Sequence, residues 1–327
     1  RKRFENEVLV YTGKPDSYYN AIINWVKQRY DLIVTKEVIN FVPGIVPGIG
    51  MAMNCFTQKG DKVMIQPPVY HPFAWVTTRN ERTLVTNPLK WENGMYRMDL
   101  DTFREQIKGC KLFILCNPHN PGGVVWTEAE LRAIADICYD EKVLVFSDEI
   151  HADLTLPPHT HRPFATVSEK ARMNSVTFMS PSKAFNMPGL SASHALIFNE
   201  DLRKRFRIYM DAGELDMGHV FAFLSVEAAY SHGTEWLDQC LAYIQGNIDF
   251  VDEFLKKHAP KIKAIRPEAS YLVWLDCREL ELSQKDLNEF FVDKAHLALN
   301  DGEMFGKEGI GFMRLNVASP RCIIEKA

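Results

Sequence analysis

No stretch of this sequence approaches the ~20 consecutive apolar residues that a membrane-spanning helix requires, so a membrane protein is not expected. Neither sign of charge dominates. Lys and Arg total 38, Asp and Glu 42, and the net charge is −4. No basic stripe is present, which argues against nucleic acid as a partner. Paired cysteine motifs are missing too. Cys55, Cys110, Cys116, Cys138, Cys240, Cys277 and Cys322 form an odd, scattered set with no C-x-x-C. That usage fits a reducing cytoplasm better than a disulfide framework. Ten histidines include no H-E-x-x-H, and PPHTHRP, carrying His159 and His161, reads as a loop, so no metal is expected. There is no internal repeat, low-complexity linker or visible signal peptide. Both ends, RKRFENEVLVYTGKP and RCIIEKA, read as trimmed.

What is present is a large apolar fraction, 46% of 327 residues, enough for one large domain or two moderate ones. The pattern alternates along the chain. YNAIINWVKQRY at 19–30 has helical spacing, VINFV at 38–42 reads as a strand, and PGIVPGIG turns into a helix over MAMNCFTQ. KVMIQ (62–66), KLFILC (111–116), VLVFS (143–147), SVTFM (175–179) and HALIF (194–198) are further strands. Thr127 and Glu130 form a capping box for a helix with Leu131, Ile134, Ala135 and Cys138 on its buried side. Continuous apolar strands alternating with helices predict a mainly parallel sheet covered on both faces, an α/β architecture. After about residue 233 the texture changes. A helix over 235–257, a strand pair in KAIRPEASYLVWLDC, a helix over 284–297 and the final strand in GFMRLNVAS predict a smaller α+β domain. The expected division is 1–233 and 234–327.

Ligands in open α/β sheets collect at the carboxyl ends of the strands. Those ends carry PGIVPG after 38–42, NPHNPGG at 117–123, SDEIH at 147–151 and SPSK at 180–183. Each has an ordinary structural reading. The glycine turn could be a tight connection, NPHNPGG consecutive turns, Asp148 a helix cap, His151 a core histidine and Lys183 a surface lysine. Together they fit one chemistry, that of pyridoxal phosphate. That cofactor needs a lysine for its aldehyde and a carboxylate for its ring nitrogen. It also needs a donor for its phenolic oxygen, and amides and hydroxyls at a helix N-terminus for its phosphate.

The same stretches, with FVPGIVPGI (41–49), GDKVMIQPPVYHPF (60–73), SPSKAFNMPGL (180–190) and GFMRLNVASPR (311–321), resemble the fold-type I pyridoxal phosphate enzymes. Within that aspartate aminotransferase superfamily, the sequence looks most like the MalY/PatB-type carbon–sulfur β-lyases. The matches run in the expected order over nearly the whole chain. The resemblance implies an aspartate aminotransferase-like fold, with a large mainly parallel sheet and a smaller α+β domain. It implies pyridoxal 5'-phosphate as cofactor and roles for individual residues. Lys183 would bond the cofactor aldehyde, Asp148 would pair with the ring nitrogen, Asn120 would donate to the phenolic oxygen and Tyr70 would stack on the ring. Gly44, Ile45 and Val46, with Ser180 and Ser182, would hold the phosphate. Arg314 would grip the substrate carboxylate. Tyr11 would reach the neighbouring subunit's phosphate, which implies a homodimer with the site at its interface. His151, at the cofactor, takes the place of a tyrosine found in many transaminases of the superfamily. Ser191 stands where many of them have a phosphate-binding arginine. The segment that precedes Tyr11 in the family, and the full C-terminal helix, are not in this sequence.

The implied activity is β-elimination of cystathionine or related cysteine S-conjugates, giving pyruvate, ammonia and a thiol. Lys183 would be the base, and Asp148 and Tyr70 would act with it. An aminotransferase is the alternative, since the same residues serve it. A cofactor-binding protein acting through a partner is a further rival.

Overall fold

The computed structural model describes Glu5 and residues 11–327. In chain order the main elements begin with α1 (Asp16–Tyr30), β1 (Ile39–Val42), α2 (Ile45–Phe56), β2 (Lys62–Ile65), α3 (Pro72–Arg79) and β3 (Thr83–Thr86). Then come β4 (Lys90–Glu92), β5 (Met95–Arg97), α4 (Leu100–Gln106), β6 (Leu112–Cys116), α5 (Glu128–Asp140) and β7 (Leu144–Asp148). They are followed by α6 (Glu169–Met173), β8 (Ser175–Met179), β9 (Ser193–Leu196), α7 (Glu200–Asp211), α8 (Val220–His232) and α9 (Thr234–His258). The last are β10 (Lys263–Ile265), β11 (Leu272–Asp276), α10 (Gln284–Glu289), β12 (Asn300–Asp301), β13 (Phe312–Asn316) and α11 (Arg321–Ile324).

Seven strands form the main sheet in the order β1-β9-β8-β7-β6-β2-β3. Neighbours from β8 to β3 are parallel. β9 runs antiparallel to both β8 and β1. A single reversed strand explains why β1, first in sequence, still points its carboxyl end to the same edge as β6, β7 and β8. β6 and β8 are buried at every residue, as expected for strands covered on both faces. One face packs against α2, α3 and α7 through Ile49, Met53, Phe73, Phe206 and Met210. The other is covered by α1 and α8 at one end and by α4 and α5 at the other.

Local chemistry fixes the elements that matter most. The capping box at Thr127 and Glu130 is formed, and Leu131, Ile134, Ala135 and Cys138 are all buried beneath it. α2 starts at Ile45, well before the predicted MAMNCFTQ. Pro47 lies in its first turn, where a missing N–H costs nothing. Gly48 lets the helix approach the sheet, since a Cβ there would lie 2.9 Å from Val42 Cγ2 and 3.2 Å from a Phe178 ring carbon.

Beyond α9, four strands form an antiparallel sheet, β10-β11-β13-β12. The predicted helix over 284–297 is shorter than expected, with α10 ending at Glu289 and a wider turn over Phe290–Lys294. Trp274 of β11 stacks on Phe312 of β13 with ring centroids 5.2 Å apart. Its indole N–H donates to Tyr96 Oη at 3.2 Å, which ties this sheet to the β4–β5 hairpin.

Candidate active site

A cavity of ≈ 450 Å³ opens at the carboxyl edge of the main sheet and runs to β13. The turn after β1 supplies its first wall. Gly44 caps α2 with φ 115° and ψ 157°, a backbone region close to glycine-only. No side chain caps this helix and its first turn carries no acid. The amides of Ile45 and Val46 therefore start a helix whose N-terminal dipole faces open space, a ready anion site.

β6 and β7 supply the next groups. The Asn120 N–H donates to Cys116 Sγ at 3.4 Å. Asp148 closes β7 and is 3% exposed. Its Oδ1 accepts the Ile150 N–H at 3.1 Å, and among the described residues it forms no ion pair. Burial pushes its carboxyl up to about 7; the Ile150 N–H opposes this, Glu149 adds to it and Lys183 opposes it. Glu149 faces the other way. It accepts from Ser147 Oγ at 2.7 Å and the Phe164 N–H at 2.8 Å, and lies 2.8 Å from His161 Nε2. His161 lies in a loop, as expected from PPHTHRP, but it is buried there as the partner of Glu149. His151 is buried on the cavity wall with Nδ1 unpartnered among the described residues. Burial first, then Lys183 and Arg314, hold its imidazole down at about 3, so the ring is neutral.

The turn after β8 presents Lys183. It is pinned by Phe185 N–H to Pro181 O and Met187 N–H to Ser182 O, both 2.9 Å. Lys183 is half-buried, and among the described residues it forms no ion pair. Burial lowers its pKa, Arg314 lowers it further and Asp148 raises it. Ser182 lies on the wall. Ser180 does not: its Oγ donates to Ala192 O at 2.7 Å and accepts the Ser182 N–H at 3.1 Å. Those bonds brace the turn that presents Ser182.

Arg314 enters from β13. Its Nη1 donates to Asn120 Oδ1 and its Nη2 to Asn300 Oδ1, both at 2.8 Å. Its guanidinium lies 4.6 Å from the Phe305 ring centroid. Burial lowers its pKa to about 10, with Tyr70 and Tyr271 opposing. Tyr70 lies on the same wall, edge-on to Phe73. Tyr11 is 92% exposed and is not among the residues lining this cavity.

The cavity thus gathers Gly44, Ile45, Val46, Tyr70, Asn120, Asp148, His151, Ser182, Lys183 and Arg314. Sequence reasoning missed His71, Cys116, Ile150, Tyr271 and Asn300 as wall residues, and Ser193 with Ala192. Cys116 and Ile150 carried a usable signal, as they adjoin motif residues at strand ends. Ser193 carried none, because it opens the reversed strand β9.

The sheet order, the second antiparallel sheet and the edge cavity define a protein of the aspartate aminotransferase-like fold. The chain belongs to the aminotransferase class I and II family, matched over residues 6–321. It is 38% identical to Cystathionine beta-lyase PatB of Bacillus subtilis, over 97% of this chain and 82% of that protein. It is 29% identical to Protein MalY of Escherichia coli, over 96% of this chain and 80% of the other. Among solved structures, cystalysin from Treponema denticola, which contains a pyridoxal 5'-phosphate cofactor, superposes with a TM-score of 0.96. Identity there is 34%, covering 99% of this chain and 83% of the other. The pyridoxal phosphate-bound C-S lyase from Staphylococcus hominis gives 0.91 at 33% identity, covering 99% and 83%.

Proposed function

We propose that this chain is a pyridoxal 5'-phosphate-dependent carbon–sulfur lyase that eliminates a thiol from cystathionine or related cysteine S-conjugates, leaving pyruvate and ammonia. One observation carries the reading. A lysine without an ion-pair partner and a buried carboxylate, likewise unpaired among the described residues, share one cavity with an open helix N-terminus. Each lacks what the cofactor would bring: an aldehyde for Lys183, a cationic ring N–H for Asp148 and a phosphate for the amides of α2. The relatives named for cystathionine lyase and C-S lyase activity support the choice of reaction.

When bound, the cofactor supplies an electron sink that stabilises negative charge at the substrate Cα. The chain's own residues would do the rest. Asp148, ionised beside the ring nitrogen, holds that nitrogen's proton in place. Asn120 gives its carbonyl oxygen to Arg314, so its amide N–H₂ is left to donate to the phenolic oxygen. Neutral His151 stands on the same wall. Tyr70 packs on the ring face, and the α2 amides with Ser182 hold the phosphate, Ser180 bracing them. Arg314 binds the α-carboxylate. Lys183, its pKa lowered by burial, takes the Cα proton as general base. The Cβ–S bond then breaks with the electron pair leaving on sulfur, and water converts the remaining fragment to pyruvate and ammonia.

We also read the chain as a cytoplasmic homodimer, with Tyr11 serving the neighbouring site. The cysteine usage supports the compartment and the exposure of Tyr11 supports the crossing. The proposed division at 233/234 is supported by a main sheet confined to residues 39–196 and a second sheet confined to 263–316.

The test is to incubate the holoprotein with L-cystathionine and no keto acid, and to assay pyruvate and free thiol together. Equal production, abolished in Lys183→Ala, is expected. Bound cofactor without pyruvate, but with amino-group transfer to an added keto acid, would establish the aminotransferase alternative instead.

A further inference from the structure

We propose that Asn300 is a positioning residue that sets the carboxylate-binding edge of Arg314, and so determines how tightly the α-carboxylate is held. This rests on the reading of Arg314 as the carboxylate site. Asn300 on β12 and Arg314 on β13 are directly paired across the sheet, so their side chains share one face.

Three contacts fix the guanidinium. Phe305 lies against it, with the cation 4.6 Å from the ring centroid. Asn120 holds one terminal nitrogen and Asn300 the other, each at 2.8 Å. A guanidinium held over a ring by that contact alone can still rotate. Two amide oxygens on opposite nitrogens stop that rotation, leaving one N–H on each nitrogen for a bidentate carboxylate. The two amides are not equivalent. Asn120 also adjoins the cofactor position, so its placement answers to two partners. Asn300 lines the cavity, and its side-chain oxygen accepts from Arg314.

The choice of an amide also matters. Among the described residues Arg314 has no carboxylate partner, so its positive charge stays available to the substrate. A carboxylate at position 300 would sit at the same nitrogen and compete for it directly.

The experiment compares holoprotein carrying Asn300→Ala, Asn300→Asp or Arg314→Ala. It measures kcat and KM for pyruvate formation from L-cystathionine, and the competitive inhibition constant of propionate, a carboxylate without an amine. Bound-cofactor absorbance and melting temperature report folding. Asn300→Ala is expected to raise KM and the propionate constant by about fivefold, with kcat within about twofold, as loss of one solvent-exposed hydrogen bond predicts. Asn300→Asp is expected to raise both constants further, by up to about fivefold beyond the alanine variant, with cofactor absorbance unchanged. Wild-type constants in both Asn300 variants, with Arg314→Ala impaired, would overturn the role of Asn300 and leave the site reading intact. Wild-type constants in Arg314→Ala would instead remove the carboxylate reading itself. A variant that changes kcat alone also counts against positioning of the carboxylate.

Discussion

Asp148 and Glu149 are adjacent carboxylates with opposite fates. Glu149 is answered by Ser147, His161 and the Phe164 amide, whereas Asp148 has one backbone N–H. The cofactor-free protein therefore carries a buried acid whose pKa stands at about 7, against 3.8 for the free side chain. A raised carboxyl pKa means that the folded state holds its proton longer than the unfolded chain. Stability is then full below about pH 4 and is lost as pH rises towards 7, by about 4 kcal/mol for a shift of this size. Asp148→Asn removes the titration. In urea or thermal unfolding without cofactor, this variant should equal wild type at pH 4 and exceed it at pH 8. With pyridoxal phosphate added the order should reverse, because wild-type Asp148 gains its cationic partner. A cofactor-free variant no more stable than wild type at pH 8 would show that Asp148 is not the strained group.

The elements that place these residues were legible to different degrees. β6, β7 and β8 were plain because a fully buried strand has an apolar side chain at nearly every position. The motifs were found because the strand ends mark where polar residues must do something other than pack. Direction was not legible. β9 has the same apolar texture as its parallel neighbours, and no periodicity records which way a strand runs. Ser193 was missed for that reason. The start of α2 was misread because Pro47 and Gly48 look like breakers, although one is tolerated in a first turn and the other is needed for close packing. Gly44 at the head of α2 gives a direct test. Gly44→Ala forces a Cβ into backbone at φ 115°, a strain of about 1–3 kcal/mol, and should shift the α2 amides. The dissociation constant for pyridoxal phosphate should rise by about tenfold or more, read from the absorbance of bound cofactor. Gly94→Ala, strained at φ 79° in the turn between β4 and β5 and away from the cavity, should lose stability yet keep cofactor affinity. Equal affinity in both variants would remove the α2 turn from the phosphate site.

At the scale of the whole molecule, the cavity is lined by residues of one chain, from the strand ends of the main sheet and from β13, while Tyr11 stands 92% exposed. A tyrosine that serves its own chain's cavity would be expected on the cavity wall, and Tyr11 is not there. If it serves a second copy, each site takes Lys183 from one subunit and Tyr11 from the other. Mixing two inactive proteins then separates the possibilities. Lys183→Ala and Tyr11→Ala should each be impaired alone, the second chiefly through weaker cofactor binding. After co-refolding, each mixed dimer contains one site with both defects and one with neither. Pyruvate formation in the mixture should therefore exceed the sum of the two parents, approaching about one quarter of wild type at equal amounts, since half the dimers are mixed and half their sites intact. Sedimentation should show dimers throughout. Activity no greater than the parental sum in a mixture that has demonstrably exchanged subunits would place Tyr11 at its own chain's site or at none.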